Sequence, residues 1–176
     1  MRSSINPLIN GWLSKCLDAA NEDERIKWGN KISYELSSLP KEAVSQLWGK
    51  WIDKYWENRF LGIPVPLSPG EAGTMVNWAL ELEPVFPLVI EKIVSGPTPR
   101  LEREGGTFYY RLSEKEIAKK YPEDVTKLLV FLLSGTDLPF YWCGEVKKIY
   151  EQILTVNLSP EKLRPLNEQL IRLGCL

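Results

Sequence analysis

The stretch Lys41-Glu-Ala-Val-Ser-Gln-Leu-Trp-Gly-Lys-Trp-Ile-Asp-Lys-Tyr-Trp-Glu-Asn-Arg-Phe-Leu61 decides the fold class. Its apolar residues Val44, Leu47, Trp48, Trp51, Ile52, Tyr55, Trp56 and Phe60 recur at three- and four-residue intervals. Lys50, Asp53, Lys54 and Glu57 take the other side. That period belongs to a helix with one broad apolar face. Three tryptophans and a tyrosine in nine residues suit either a ligand box or the packed centre of a core. A helix clamped between neighbours accounts for them better, so Trp48, Trp51, Tyr55 and Trp56 are expected to be mostly buried. Gly49 reads as a point where a neighbouring backbone comes close.

The same period extends both ways from this helix. Towards the N-terminus, Ile5, Leu8, Ile9, Trp12, Leu13 and Cys16 form a first amphipathic stripe. Asn21-Glu-Asp-Glu24 supplies the acidic start of a second helix, which Gly29 weakens. Beyond residue 61, Gly62-Ile-Pro-Val-Pro-Leu-Ser-Pro-Gly70 interrupts helix, and Ser68-Pro69 restarts it. Glu83-Pro84 ends that helix, and an apolar one follows over 85–94. Residues 97–112 are the least helical. There Thr107-Phe-Tyr-Tyr-Arg-Leu112 favours a short extended segment, paired with the Leu101 side, or an ordered loop. Ser113-Glu-Lys-Glu116 has capping-box spacing, and Pro122-Glu-Asp124 and Ser159-Pro160 open further helices. The segment around 144–156 is helical in phase as well. These signs predict one all-α domain over 1–176: an irregular, solenoid-like array of helical hairpins with one short extended or loop insertion.

Composition excludes several function classes. The 176 residues are 44% hydrophobic and 26% charged, with 22 basic against 23 acidic side chains, so no basic footprint covers the whole domain. There is no histidine, which removes the Ser-His-Asp triad, the Cys-His pair and HExxH chemistry. Cys16, Cys143 and Cys175 lack zinc-site spacing, and their odd number and wide spread read as three small hydrophobes in a reducing cytoplasm. No run of 18 apolar residues and no signal-peptide core are present, so a cytoplasmic protein without a membrane partner is expected.

No phosphate loop assembles from Gly96, Gly105, Gly106, Gly135 or Gly144. Among carboxylates, Glu81 and Glu83 would point in different directions on a helix. Glu22, Asp23 and Glu24 make a helix start, and Glu102 and Glu104 sit in a mixed-charge loop beside Arg100 and Arg103. None has the spacing of an acid–base pair or a metal site. A non-catalytic protein without cofactor or metal is therefore expected.

One local excess of positive charge remains. Residues 96–121 hold six basic groups against four acids, interleaved with Phe108, Tyr109, Tyr110 and Tyr121. Arg100, Arg103, Phe108, Tyr109, Tyr110 and Arg111 form the first candidate contact surface, and Tyr141 and Trp142 the second. Either could anchor a protein partner or a larger assembly. The first could alternatively hold phosphates and stack a base, as a nucleic-acid-binding accessory domain would.

Trp51-Ile-Asp-Lys-Tyr-Trp-Glu-Asn-Arg-Phe-Leu-Gly-Ile-Pro-Val-Pro-Leu67, followed by Met75-Val-Asn-Trp78 and Glu83-Pro-Val-Phe-Pro87, resembles the bacterial domain of unknown function DUF4020. Tyr121-Pro-Glu-Asp-Val125 and Leu133-Ser-Gly135 are compatible with it. The resemblance covers roughly 40–176 and is weaker before residue 40. It implies a helical accessory module like those near the C-terminus of large, Sir2-associated defence proteins, and it carries no catalytic residue.

Overall fold

A proline or an acidic residue stands in the first turn of most of the helices. The computed structural model describes residues 5–101, 106–136 and 140–176. Helices α1 (Ile5–Asp18), α2 (Glu22–Ser37), α3 (Lys41–Leu47), α4 (Asp53–Gly62), α5 (Pro69–Glu81) and α6 (Phe86–Val94) form the first part of the chain. Helices α7 (Thr107–Glu114), α8 (Ile117–Lys120), α9 (Pro122–Ser134), α10 (Cys143–Leu154) and α11 (Pro160–Arg172) complete it. The fold is all-α, built from successive packed helices in hairpin fashion, with no strand among the described residues. A single parallel bridge joins Leu101 to Thr136. The chain divides into two compact units, one up to Val65 with Gly70–Gly96, the other Pro66–Pro69 with Pro97–Leu176.

In the first unit the tryptophan-rich helix is not continuous. A π turn at Trp48–Ile52 joins α3 to α4. It adds one residue to the helical repeat and shifts the phase of the apolar stripe. Trp48, Tyr55 and Trp56 are buried, whereas Trp51 stays partly exposed under the Lys50 ammonium, 5.3 Å from its ring centroid. Gly49 faces open space, contrary to the close approach expected there. Gly29 takes that role instead. A Cβ on it would run into the Thr74 methyl, and its carbonyl accepts a 2.9 Å hydrogen bond from Trp78 Nε1. The helix-weakening glycine of α2 is thus the seat of α5. Tyr55, Trp56 and Trp78 meet with centroids 4.8–5.3 Å apart and form the aromatic centre of this unit.

Within that core lies a buried ion cluster. Glu71 Oε1 accepts from Arg25 Nε and Arg59 Nε, each at 3.0 Å, and Oε2 accepts from Arg59 Nη2 at 2.9 Å. Arg59 Nη1 also donates to the Ile63 and Val65 carbonyls, at 2.9 and 3.3 Å. One guanidinium therefore fixes α5 and the Ile63-Pro-Val-Pro66 turn, where prolines leave few backbone donors. Nearby, Cys16 is a free buried thiol whose pKa burial pushes up to about 12. Burial also raises the Tyr55 hydroxyl. A raised thiol pKa favours the protonated fold. Stability from Cys16 should be complete below about pH 9 and fall by about 1.4 kcal/mol per unit as pH rises from there toward 12. Urea unfolding at pH 8 and pH 10 should show a larger loss for wild type than for Cys16→Ala. Equal losses would contradict the assignment.

In the second unit, α9 packs on α11 and α8, and α10 on α7 and α8. Gly135 follows α9 because a Cβ there would strike the Pro99 carbonyl. Leu101 N–H donates to the Gly135 carbonyl at 3.0 Å, which supplies the extended insertion. Its partner is residue 136, not 107–112. Those residues are helical, with Phe108, Tyr109 and Leu112 turned into the core at helical spacing. Tertiary burial has overridden the β propensity of Thr, Phe and Tyr. Ser113 does not open a helix either. It is buried near the end of α7, and its carbonyl accepts from Gln152 Nε2 at 2.9 Å.

The cysteines also differ from expectation. Cys143 and Cys175 form a disulfide, with Cα atoms 5.1 Å apart, so only Cys16 behaves as an isolated small hydrophobe. Helix geometry brings the pair together. Gly174, at φ +73°, turns the chain back after α11. Gly174 N–H then reaches the Ile171 carbonyl at 3.0 Å, and Cys175 N–H reaches Leu170 at 2.8 Å. This paired Schellman capping places residue 175 against the helix flank. Sequence spacing alone carries no trace of it.

Candidate interaction face

The candidate residues separate into core and surface. Helix α7 is set by its own pattern, with Phe108, Tyr109 and Leu112 inward and Thr107, Tyr110 and Glu114 outward at i, i+3 and i+7. Phe108 and Tyr109 are 2% and 0% exposed, so neither presents a contact surface. Burial pushes the Tyr109 hydroxyl upward in pKa, partly opposed by Thr136 beside it. Tyr110 is 51% exposed, Arg100 is exposed and Arg111 is half-buried. Arg103 lies outside the described residues. Of the second pair, Tyr141 is exposed and Trp142 half-buried.

The structure joins the two aromatic segments that the sequence presents as separate. Tyr109 meets the Phe140 ring edge-on at 5.9 Å, and the Trp142 indole lies where a Cβ on Gly106 would be. Their shared business is therefore partly internal packing.

Several basic residues of this region are engaged with neighbours. Lys119 pairs with Glu116 at 2.6 Å, and Lys120 sits 5.3 Å from the Tyr121 ring centroid. On α10, Lys148 pairs with Glu145 at 2.9 Å, which raises the lysine pKa. An open groove of about 460 Å³ runs between the end of α7, α8 and α10, lined by Ser113, Glu114, Glu116, Lys119, Lys148, Glu151, Gln152 and Thr155. Three carboxylates there face two ammonium groups, so the groove is acidic on balance. Tyr110, outside this lining, lies within electrostatic reach of Lys148. Glu116 adopts a left-handed conformation at φ 49°, an uncommon and costly choice for a residue with a side chain.

Sequence reasoning missed Lys148, Glu151, Gln152 and Thr155. They form the polar face of α10, opposite Val146, Ile149 and Ile153. Their spacing marks a solvent-side stripe, but only the packing of α7 on α10 turns that stripe into one wall of a groove.

Among the described residues, no group of three or more His, Cys, Asp or Glu side chains is placed to hold a metal, and no helix is long and apolar enough to cross a membrane. A family model for a domain of unknown function, DUF4020, matches residues 8–170. The chain belongs to the DUF4020 family. The match includes α2 and α1 from Leu8 onward, ahead of the residue-40 limit of the sequence resemblance. No curated protein and no solved structure matches the chain. Within this DUF4020 domain, Arg59 gives the Tyr-Trp-Glu-Asn-Arg and Ile-Pro-Val-Pro block a physical meaning, since it bonds the Ile63 and Val65 carbonyls.

Proposed function

We propose that this DUF4020 domain is a non-catalytic protein-interaction or scaffold module, and that the α7–α10 groove takes a partner segment bearing a basic residue. The observation that carries this reading is the acidic balance of the groove, with the exposed Tyr110 within electrostatic reach of Lys148 in its lining. A lysine or arginine of the partner would meet Glu114 and Glu151, while an adjacent apolar side chain covers the tyrosine ring. The acidic lining also works against a phosphate backbone, which needs a surplus of cations. The setting we infer is a larger bacterial intracellular assembly, and the likeness to Sir2-associated modules suggests anti-phage defence as its purpose.

Fluorescence anisotropy with two labelled probes tests this, one a 15-residue leucine–lysine amphipathic helix and the other a 20-nucleotide single strand. The peptide should bind, and Glu114→Lys/Glu151→Lys should weaken it at least tenfold without changing the circular dichroism. Strand binding that falls steeply with salt and disappears in Arg100→Ala/Arg111→Ala would favour the nucleic-acid reading instead. The same purified protein should turn over neither NAD, peptide nor nucleic acid with added Mg²⁺ or Mn²⁺. Turnover abolished by a carboxylate substitution would overturn the non-catalytic assignment.

A further inference from the structure

We propose that Cys143 and Cys175 form a thiol–disulfide exchange site that clasps and releases the C-terminal turn of the chain. Three observations place the pair for this role. First, Cys143 opens α10 and is partly exposed, whereas Cys175 is 9% exposed, so an external thiolate reaches the Cys143 sulfur first. Second, the bond closes on a small local structure. Beside the sulfur link, residues 174 and 175 make two backbone hydrogen bonds, to Ile171 and Leu170, and Gly174 and Leu176 are exposed. Third, α11 has its own independent attachment. Leu163, Leu166 and Leu170 are buried, and Arg172 Nη1 and Nη2 donate to the Thr136 and Leu133 carbonyls at 3.2 and 2.5 Å. Breaking the disulfide therefore frees the last turn while the helix stays docked.

The chemistry needs a dithiol reductant. Its first thiolate attacks the Cys143 sulfur, forming a mixed disulfide as the Cys143–Cys175 bond breaks and Cys175 leaves as thiolate. The second thiol of the reductant, as thiolate, then attacks its own sulfur in the mixed disulfide and expels the Cys143 thiolate. The protein gains two electrons and, once both thiolates are protonated, two protons, and the reductant ends as a cyclic disulfide. The positive N-terminal end of α10 stands beside the Cys143 thiolate so released. Oxidised dithiol runs the same steps in reverse. Such a site also reconciles a disulfide with a protein of a reducing compartment, where persistent structural bridges are rare.

The test uses the full chain equilibrated in buffers of dithiothreitol and its cyclic disulfide, quenched with iodoacetamide and read by mass spectrometry. Native exchange should interconvert Cys143 and Cys175 reversibly, leaving Cys16 unlabelled in both states. Hydrogen exchange on the two forms should then show at least a tenfold loss of protection confined to residues 173–176, with 163–170 unchanged. Cys143→Ser should reproduce the reduced pattern. Three results would overturn the proposal: thiols that stay free in the oxidising buffer, a bond reduced only in denaturant, or protection lost throughout α11. The last two would make the bond a structural staple.

Discussion

Glu71→Gln should destabilise the protein by about 3–5 kcal/mol. The reason is the Arg59 guanidinium, which is 0% exposed and has Glu71 as its carboxylate partner at 2.9 and 3.0 Å. Gln keeps the shape of the side chain but removes the charge, so Arg59 would stay buried without that countercharge. Arg25 is 13% exposed at its side chain and can turn towards water, so it contributes less to the loss. Replacing the pair together, as Arg59→Met/Glu71→Leu, should recover part of the stability, because burying two ions is itself costly. Recovery will be incomplete, since the Ile63 and Val65 carbonyls lose their donor. Chemical denaturation of the single and double variants measures both quantities. A Glu71→Gln loss under 1 kcal/mol would show that the cluster is solvated in solution.

Trp78→Ala should cost about 3–5 kcal/mol, and Trp51→Ala clearly less. Trp78 is 1% exposed, packs against Tyr55 and Trp56 at 5.3 Å, and donates to the Gly29 carbonyl. Its removal leaves a cavity and takes the side-chain donor away from the Gly29 carbonyl. Full packing of Trp51 would have made its loss equally severe, but the π turn leaves that ring partly in solvent. Matched urea titrations give the order. A greater loss at Trp51 than at Trp78 would contradict the packing described.

Helix positions were legible wherever a local rule acts alone. Asn21 caps α2 by accepting from Glu24 N–H at 3.0 Å, and Pro122 and Pro160 start α9 and α11. What escaped depends on neighbours distant in sequence. Gly29 and Gly49 look alike in their helices, yet only one meets Thr74. Residues 107–112 have strand-like composition, and their helical state comes from burying Phe108, Tyr109 and Leu112 together. The disulfide depends on a turn at Gly174 and on where α10 begins. The groove was half visible: Glu114, Glu116 and Lys119 fall in the charged 96–121 segment, whereas Glu151 and Gln152 are ordinary surface residues until α7 packs beside them.

A charge swap across the groove decides whether its carboxylates dock a basic segment. Wild type and Glu114→Lys/Glu151→Lys are each titrated with the leucine–lysine helix and with its leucine–glutamate counterpart. The reversed variant should lose the basic peptide at least tenfold and gain the acidic one, so that preference inverts with the groove. Unchanged affinities, or loss of both peptides by a variant that remains folded, would contradict a docking site built on these carboxylates.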